Sequence, residues 1–188
     1  MRRTPLIAVF GLALIQAACA DSHAPTVARA AGDVANADRT VNGESGKVVS
    51  IFDACDPATF VQNGVSCTRP GGVRFDQFLS QITPGHQPGG WHFAPSELNV
   101  KVGDTFIAVN RGGETHTFTE VEHFGGGIIP ALNVASGNPV EADECKSPAT
   151  ANFLAPGQTF VDVADEDGDE LYQCCIHPWM RVVIHRHG

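Results

Sequence analysis

Positive charge is scarce in this chain. Twelve Lys and Arg stand against 21 Asp and Glu in 188 residues, for a formal net charge of −9. No basic patch exists to meet phosphates, which argues against a nucleic-acid partner. There is no glycine-rich phosphate loop and no nucleophile–base triad, so phosphoryl transfer and triad hydrolysis have no residues to carry them. Long apolar runs are missing as well. The run from Leu6 to Ile15 falls short of the roughly 20 residues a membrane-spanning helix needs. Long helical periodicity is also absent, and short β-branched or aromatic runs separated by turn residues dominate the second half.

The first 20 residues carry Arg2 and Arg3, the apolar run, and then small residues, the pattern of a secretory signal. Ala18-Cys19-Ala20 suits cleavage before Asp21. Lipidation of Cys19, giving a lipid anchor, is the alternative, but Gln16 stands where lipoprotein signals usually carry Leu. Simple cleavage is therefore favoured, with a periplasmic or secreted location. Residues 21–46 are rich in Ala, Asp, Asn, Thr and Gly and bury too little to order themselves, so they read as a flexible leader.

Residues 47–90 form an N-terminal extension with a strand over Val48–Phe52 and a loop between Cys55 and Cys67. Phe75, Phe78, Leu79 and Ile82 follow at i, i+3, i+4 and i+7, one face of a short amphipathic helix that should join the core. Two Pro-Gly steps between Thr83 and Gly90 break the chain. Over residues 91–188, strands are expected at Trp91–Phe93, Leu98–Val102, Thr105–Val109, Thr115–Val121, Thr159–Ala164, Glu170–Cys174 and Arg181–His185. Such a pattern predicts an all-β Greek-key sandwich. Between Glu122 and Pro156 the pattern lapses into a long connection holding Cys145. Loops of that length are usually functional or tied down.

Near the C-terminus, Tyr172-Gln-Cys-Cys-Ile-His-Pro-Trp-Met-Arg181 places a thiolate, an imidazole and a thioether within seven residues: Cys174, His177 and Met180. That is a metal-site composition. Soft sulfurs favour Cu(I) and imidazoles satisfy Cu(II), whereas zinc has little use for a thioether. A further histidine is needed, and His116 in Val109-Asn-Arg-Gly-Gly-Glu-Thr-His-Thr-Phe118 is the upstream candidate. Beyond residue 20 there are five cysteines, an odd number, which calls for one thiol with a separate role. Cys55 and Cys67 are the natural first pair, leaving Cys145 for whichever of Cys174 and Cys175 does not hold the metal. Adjacent side chains in extended backbone face opposite ways, so a binuclear centre bridged by both is disfavoured. His23, His86, His92 and His123 read as incidental.

These two segments resemble the copper-binding halves of type 1 (blue) copper cupredoxins. The second is similar to the amicyanin and plastocyanin branch, which writes Tyr-x-Cys-x-x-His-Pro-x-Met-Arg and then a strand. The resemblance covers residues 91–188. It implies a cupredoxin-like sandwich and one copper per chain, held by His116, Cys174, His177 and Met180. Cys175 then faces away, free to reach Cys145. It further implies a non-catalytic carrier of single electrons between a redox donor and acceptor, with His177 as an exposed-edge ligand and Trp179 as an apolar shield. Two positions depart from the family, which usually has Asn after the first His and Ser or Thr after the Cys, joined by a hydrogen bond. Here they are Thr117 and Cys175. A copper protein for delivery, storage or resistance is the alternative function. A mononuclear copper enzyme would need another ligand, for which Glu114 and His123 are the candidates. The acidic run Asp165-Glu-Asp-Gly-Asp-Glu170 reads first as a solvated turn and second as a patch that would steer a basic redox partner.

Overall fold

The computed structural model describes residues 47–188. The expected signal over 1–20, the cleavage or lipidation site at Cys19 and the leader over 21–46 lie outside the described residues. In chain order the elements are β1 (Val48–Phe52), α1 (Pro57–Gln62), α2 (Phe75–Gln81), β2 (His92–Ala94), β3 (Glu97–Lys101), β4 (Thr105–Asn110), β5 (His116–Thr117), β6 (Thr119–Val121), α3 (Pro130–Ser136), β7 (Phe153–Leu154), β8 (Thr159–Val163), β9 (Gly168–Gln173) and β10 (Arg181–His187). Single 3-10 turns occur at Asp143–Lys146 and Thr150–Asn152.

Alternation sets the layers. In β3, Leu98 and Val100 are buried while Glu97, Asn99 and Lys101 are exposed, the period-2 pattern of a strand with one face inward. Two four-stranded sheets result, ordered β2-β1-β4-β8 and β3-β10-β9-β6, with a small β5-β7 pair beside them. Val49, Ile51, Phe93, Phe106 and Phe160 from the first sheet share one core with Leu98, Val100, Tyr172, Val182 and Ile184 from the second. Phe118 ties the layers, stacking on Tyr172 at 4.4 Å and touching Phe93 and Phe160 at 5.4 and 5.3 Å. Full burial of each large side chain stabilises by about 1.5–3 kcal/mol.

The expectation of a plain all-β sandwich with one short helix needs two corrections. Strand pairs β1–β4 and β3–β10 are parallel, and there are three short helices among the described residues. Helix α1 lies in the loop between Cys55 and Cys67. Asp56 caps it by accepting from Ala58 N–H, and Pro57 occupies its first turn. At six residues it is too short to display a hydrophobic period. Helix α3 falls in the long connection, opened by Pro130 and closed by Gly137 at φ 78°, the Pro-first, Gly-last asymmetry of helix ends. Helix α2 sits where the apolar stripe predicts it. Its packed face is centred on Phe78, with Phe75 at 5.1 Å from Phe60 and Phe78 at 4.6 Å from Trp91. Leu79, expected on that face, is 47% exposed, because the packed residues fall at i, i+3 and i+7 and leave i+4 on the rim.

Candidate metal centre

Strand β4 ends at the buried Asn110, whose side-chain amide organises the turn that follows. It donates to the carbonyls of Glu114 (2.8 Å) and Leu154 (2.7 Å) and accepts from Gly112 N–H (2.9 Å). The chain therefore re-enters extended backbone at His116, fully buried at the start of β5. From the other sheet, Cys174 follows β9 directly. Its N–H donates to the Met180 carbonyl (3.0 Å), and Met180 N–H donates to the His177 carbonyl (2.9 Å), so the seven-residue loop closes on itself before β10. Arg181 fastens it, donating to the Pro178 carbonyl (2.7 Å) and to Asn138 Oδ1 (2.6 Å).

These two segments bring His116, Cys174 and His177 together. His116 Nδ1 lies 3.8 Å and His177 Nδ1 3.9 Å from Cys174 Sγ. The three donor atoms lie within 4.8 Å of one another and all three residues are buried. The set can hold one metal ion and resembles a type 1 copper ligand set. Met180 is buried on the same loop as Cys174 and His177. Cys174 is the free cysteine among the described residues. Burial alone would raise its thiol, but hydrogen bonds and charge from His116 and His177 outweigh that and hold it well below its ordinary value. The amides of Thr117 (3.3 Å) and His177 (3.5 Å) also donate to Sγ, support of the kind a thiolate needs. A soft thiolate flanked by two inward-facing imidazole nitrogens suits copper by donor chemistry.

The two departures from the family pattern meet each other. Thr117 Oγ1 accepts from Cys175 N–H at 2.6 Å and from the Thr119 hydroxyl at 3.2 Å. The main chain of Cys175 thus supplies the donor that its side chain lacks. That side chain turns away, bonded to Cys145 in a second apolar cluster with Val121 and Ala142. Cys55 and Cys67 form the other disulfide.

One residue of the centre carried no recognisable sequence signal. Asp53 Oδ2 lies 3.0 Å from His116 Nε2, with the two side chains 1% and 0% exposed. Burial would raise the Asp53 carboxyl, yet the His116 bond and the amides of Glu114 and Gly113 hold it at about 2. Burial would lower His116, but its bonds to Asp53 and Cys174 push it up to about 9. The parallel register pairing Ile51 with Asn110, continued two residues, sets Asp53 beside Gly112. Only that long-range pairing could have announced it.

The other sequence candidates sit elsewhere. Glu114 is buried and raised by that burial, near Asp53 and His116, and it accepts from Trp91 Nε1. His123, His86 and His92 are exposed. His177 is not the exposed-edge ligand expected: it is 3% exposed. Phe78 of α2 lies edge-on to its ring at 6.0 Å and Trp179 at 5.5 Å, so the N-terminal helix covers it. The acidic turn between β8 and β9 does not border the centre. Asp165, Glu166 and Glu170 pair with Arg186, and Asp169 pairs with His185. These lie at the far end of β10, about 15–20 Å from the loop at ~3.3 Å per strand residue. Among the described residues no helix is long and apolar enough to cross a membrane.

No protein-family model matches the chain, and no curated protein matches it. Solved structures do. A purple cupredoxin from Nitrosopumilus maritimus matches at 20% identity over 56% of this chain and 94% of its own, with a TM-score of 0.39. A copper(I) amicyanin variant matches at 24% identity over 51% of this chain and 73% of its own, with a TM-score of 0.34. An oxidised amicyanin variant matches at 16% identity over 78% of this chain and 87% of its own, with a TM-score of 0.40. At such scores none of them says what this chain binds.

Proposed function

We propose that this chain is an exported mononuclear copper protein of the cupredoxin type, which carries single electrons between a redox donor and acceptor. His116, Cys174, His177 and Met180 are its ligands. The observation that carries the reading is the free, buried Cys174 with the Nδ1 atoms of two buried histidines at 3.8 and 3.9 Å. Bound there, copper supplies a one-electron Cu(I)/Cu(II) couple, with sulfur favouring one state and imidazole the other.

The protein's part is to hold its donors still. Cys174, His177 and Met180 are fixed by one short loop closed by main-chain hydrogen bonds, and His116 arrives from a separate strand. The amides on Sγ keep the thiolate in place, and the Thr117–Cys175 bond locks the two segments together. Phe78 and Trp179 keep water from His177. Little can rearrange when the charge at the centre changes by one unit, which is the requirement for fast electron transfer.

Enclosure favours this reading over delivery or storage, since neither His116, Cys174 nor His177 is exposed for handing a metal on. Of the two candidates for an additional catalytic ligand, Glu114 lies with Asp53 and His116, on the side of His116 away from Cys174, and His123 lies outside both groups of potential ligands. Glu114 is bonded to Trp91, and His123 faces solvent. Two disulfides suit an oxidising, extracytoplasmic location. The test is protein-film voltammetry of the copper-loaded protein with metal analysis. One copper per chain and one reversible one-electron wave are expected. Failure to bind copper, or binding without a reversible wave, would overturn the electron-carrier assignment.

A further inference from the structure

The carboxylate behind His116 has no part in the ligand set, yet the fold goes to some length to put it there. Asp53 leaves the end of β1, and its carboxylate is pinned at both oxygens. Glu114 N–H donates to Oδ2 at 2.9 Å and Cys55 N–H to Oδ1 at 3.4 Å. The next turn of chain is fastened by the Cys55–Cys67 disulfide. Space for it is made from the other side. A Cβ on Gly112 would stand 1.9 Å from Asp53 Oδ2, and one on Gly113 would stand 2.8 Å from Arg69 N and 3.0 Å from Cys55 Sγ. The Gly112-Gly113 turn is therefore a matter of room: it lets the carboxylate and the disulfide segment close on the backbone before His116.

The chemistry of the bond is directional. A carboxylate only accepts, and a neutral imidazole carries its proton on one nitrogen and its lone pair on the other. The bond to Asp53 assigns the proton to Nε2. With a metal bound, Nδ1, the nitrogen 3.8 Å from Cys174 Sγ, would give up its own proton and offer its lone pair. Histidines that bind metals commonly have such a partner on their outer nitrogen, which fixes tautomer and ring orientation and raises ligand basicity. A negative charge buried beside a ligand also stabilises the more positive state of a metal.

We propose that Asp53 is the positioning residue of this centre. Through the gap left by Gly112 it holds His116 with Nε2–H outward and Nδ1 toward Cys174, and it lowers the reduction potential of the bound metal. This rests on the reading that His116, Cys174 and His177 hold one metal ion.

Asp53→Asn keeps the shape and can still accept from the Glu114 amide, but it is neutral. Asp53→Ala removes the group altogether. The wild-type protein and both variants would be loaded with Cu(I), which is diamagnetic, for 15N NMR of the His116 ring. Potentials and affinities would then be measured on each, the latter by competition with a copper chelator. In the wild type, Nε2 should carry the proton. Asp53→Asn should bind about 10–100-fold more weakly and have a higher potential. Asp53→Ala should lose the hydrogen-bonded Nε2–H signal. An unchanged potential and affinity in Asp53→Asn would overturn the proposal and reduce Asp53 to a support for the turn, with the metal centre itself intact. If wild type binds no copper, the functional reading falls and the proposal with it.

Discussion

Truncating Phe78 to alanine should unseal the metal centre and weaken the fold together. Phe78 is 3% exposed, and its ring lies 4.6 Å from Trp91, 5.6 Å from Phe60, 6.0 Å from His177 and 6.2 Å from Trp179. Removing a buried Phe side chain costs about 3–5 kcal/mol, the spread reflecting how far the site collapses. Rigid aromatic neighbours on several sides collapse poorly, so about 4 kcal/mol is expected. A folded body of roughly 140 residues has an unfolding entropy near 0.3 kcal/mol/K, which translates to a Tm lower by about 13 °C. Calorimetry of the metal-free proteins measures that. The second readout is access. Azide titrated into the Cu(II)-loaded variant should change its visible spectrum, while the wild type stays unaffected. Phe78→Leu, which fills most of the volume, should lie between the two. A Tm shift of only a few degrees, with azide excluded from the alanine variant, would refute the idea that α2 seals His177.

Three more outcomes follow from the same contacts. Glu170 is pushed up to about 7 by burial and by Glu120, with Arg186 opposing and Asp162 and Asp165 adding to the rise. The folded state therefore holds a proton that the unfolded state has released. The associated stability is complete below about pH 4.5 and falls as pH rises to about 7. Denaturant titrations at pH 5 and pH 8 should show a larger loss in wild type than in Glu170→Gln; equal losses would dismiss this role for Glu170. Replacing Cys145 and Cys175 together by alanine opens a loop of sequence separation 30. By loop entropy this should cost about 3–4 kcal/mol, while the visible thiolate-to-copper band survives; denaturant titration and absorption check the two halves. Thr117→Val deprives the buried Cys175 N–H of its acceptor and should cost about 1–3 kcal/mol, with a changed charge-transfer spectrum because one of the two bonds joining the ligand segments is lost while the Thr117 amide still donates to Cys174 Sγ.

What could be read from the sequence divides by range. Cys174 and His177 are legible because a thiol and an imidazole fall three residues apart ahead of a strand, and the fold sets both beside His116. Period-2 alternation explains why Cys174 and Cys175 face opposite ways, while the Cys-x-x-His spacing of the cupredoxin resemblance is what picks Cys174 for the centre. The stripe of Phe75, Phe78 and Ile82 announces α2 and its burial, but not which end of the sandwich it covers. That choice is made by Trp91 and Phe60, distant in sequence, and it is the reason His177 is enclosed. Asp53 is illegible for the same cause. Its neighbours give no hint of a functional carboxylate, and only the parallel pairing of β1 with β4 carries it to His116. Helix α3 hid in a connection whose seven residues are too few for a period to emerge, although Pro130 and Gly137 bracket it.

Whether Cys174 is a thiolate ligand to a single copper decides the proposed function most directly. Visible absorption and electron paramagnetic resonance of the Cu(II)-loaded protein, beside Cys174→Ser and Cys175→Ser, test it. One Cu(II) signal per chain and an intense visible charge-transfer band are expected, the band lost in Cys174→Ser and kept in Cys175→Ser. A band that survives Cys174→Ser, or copper bound by the wild type with no such band, would contradict it.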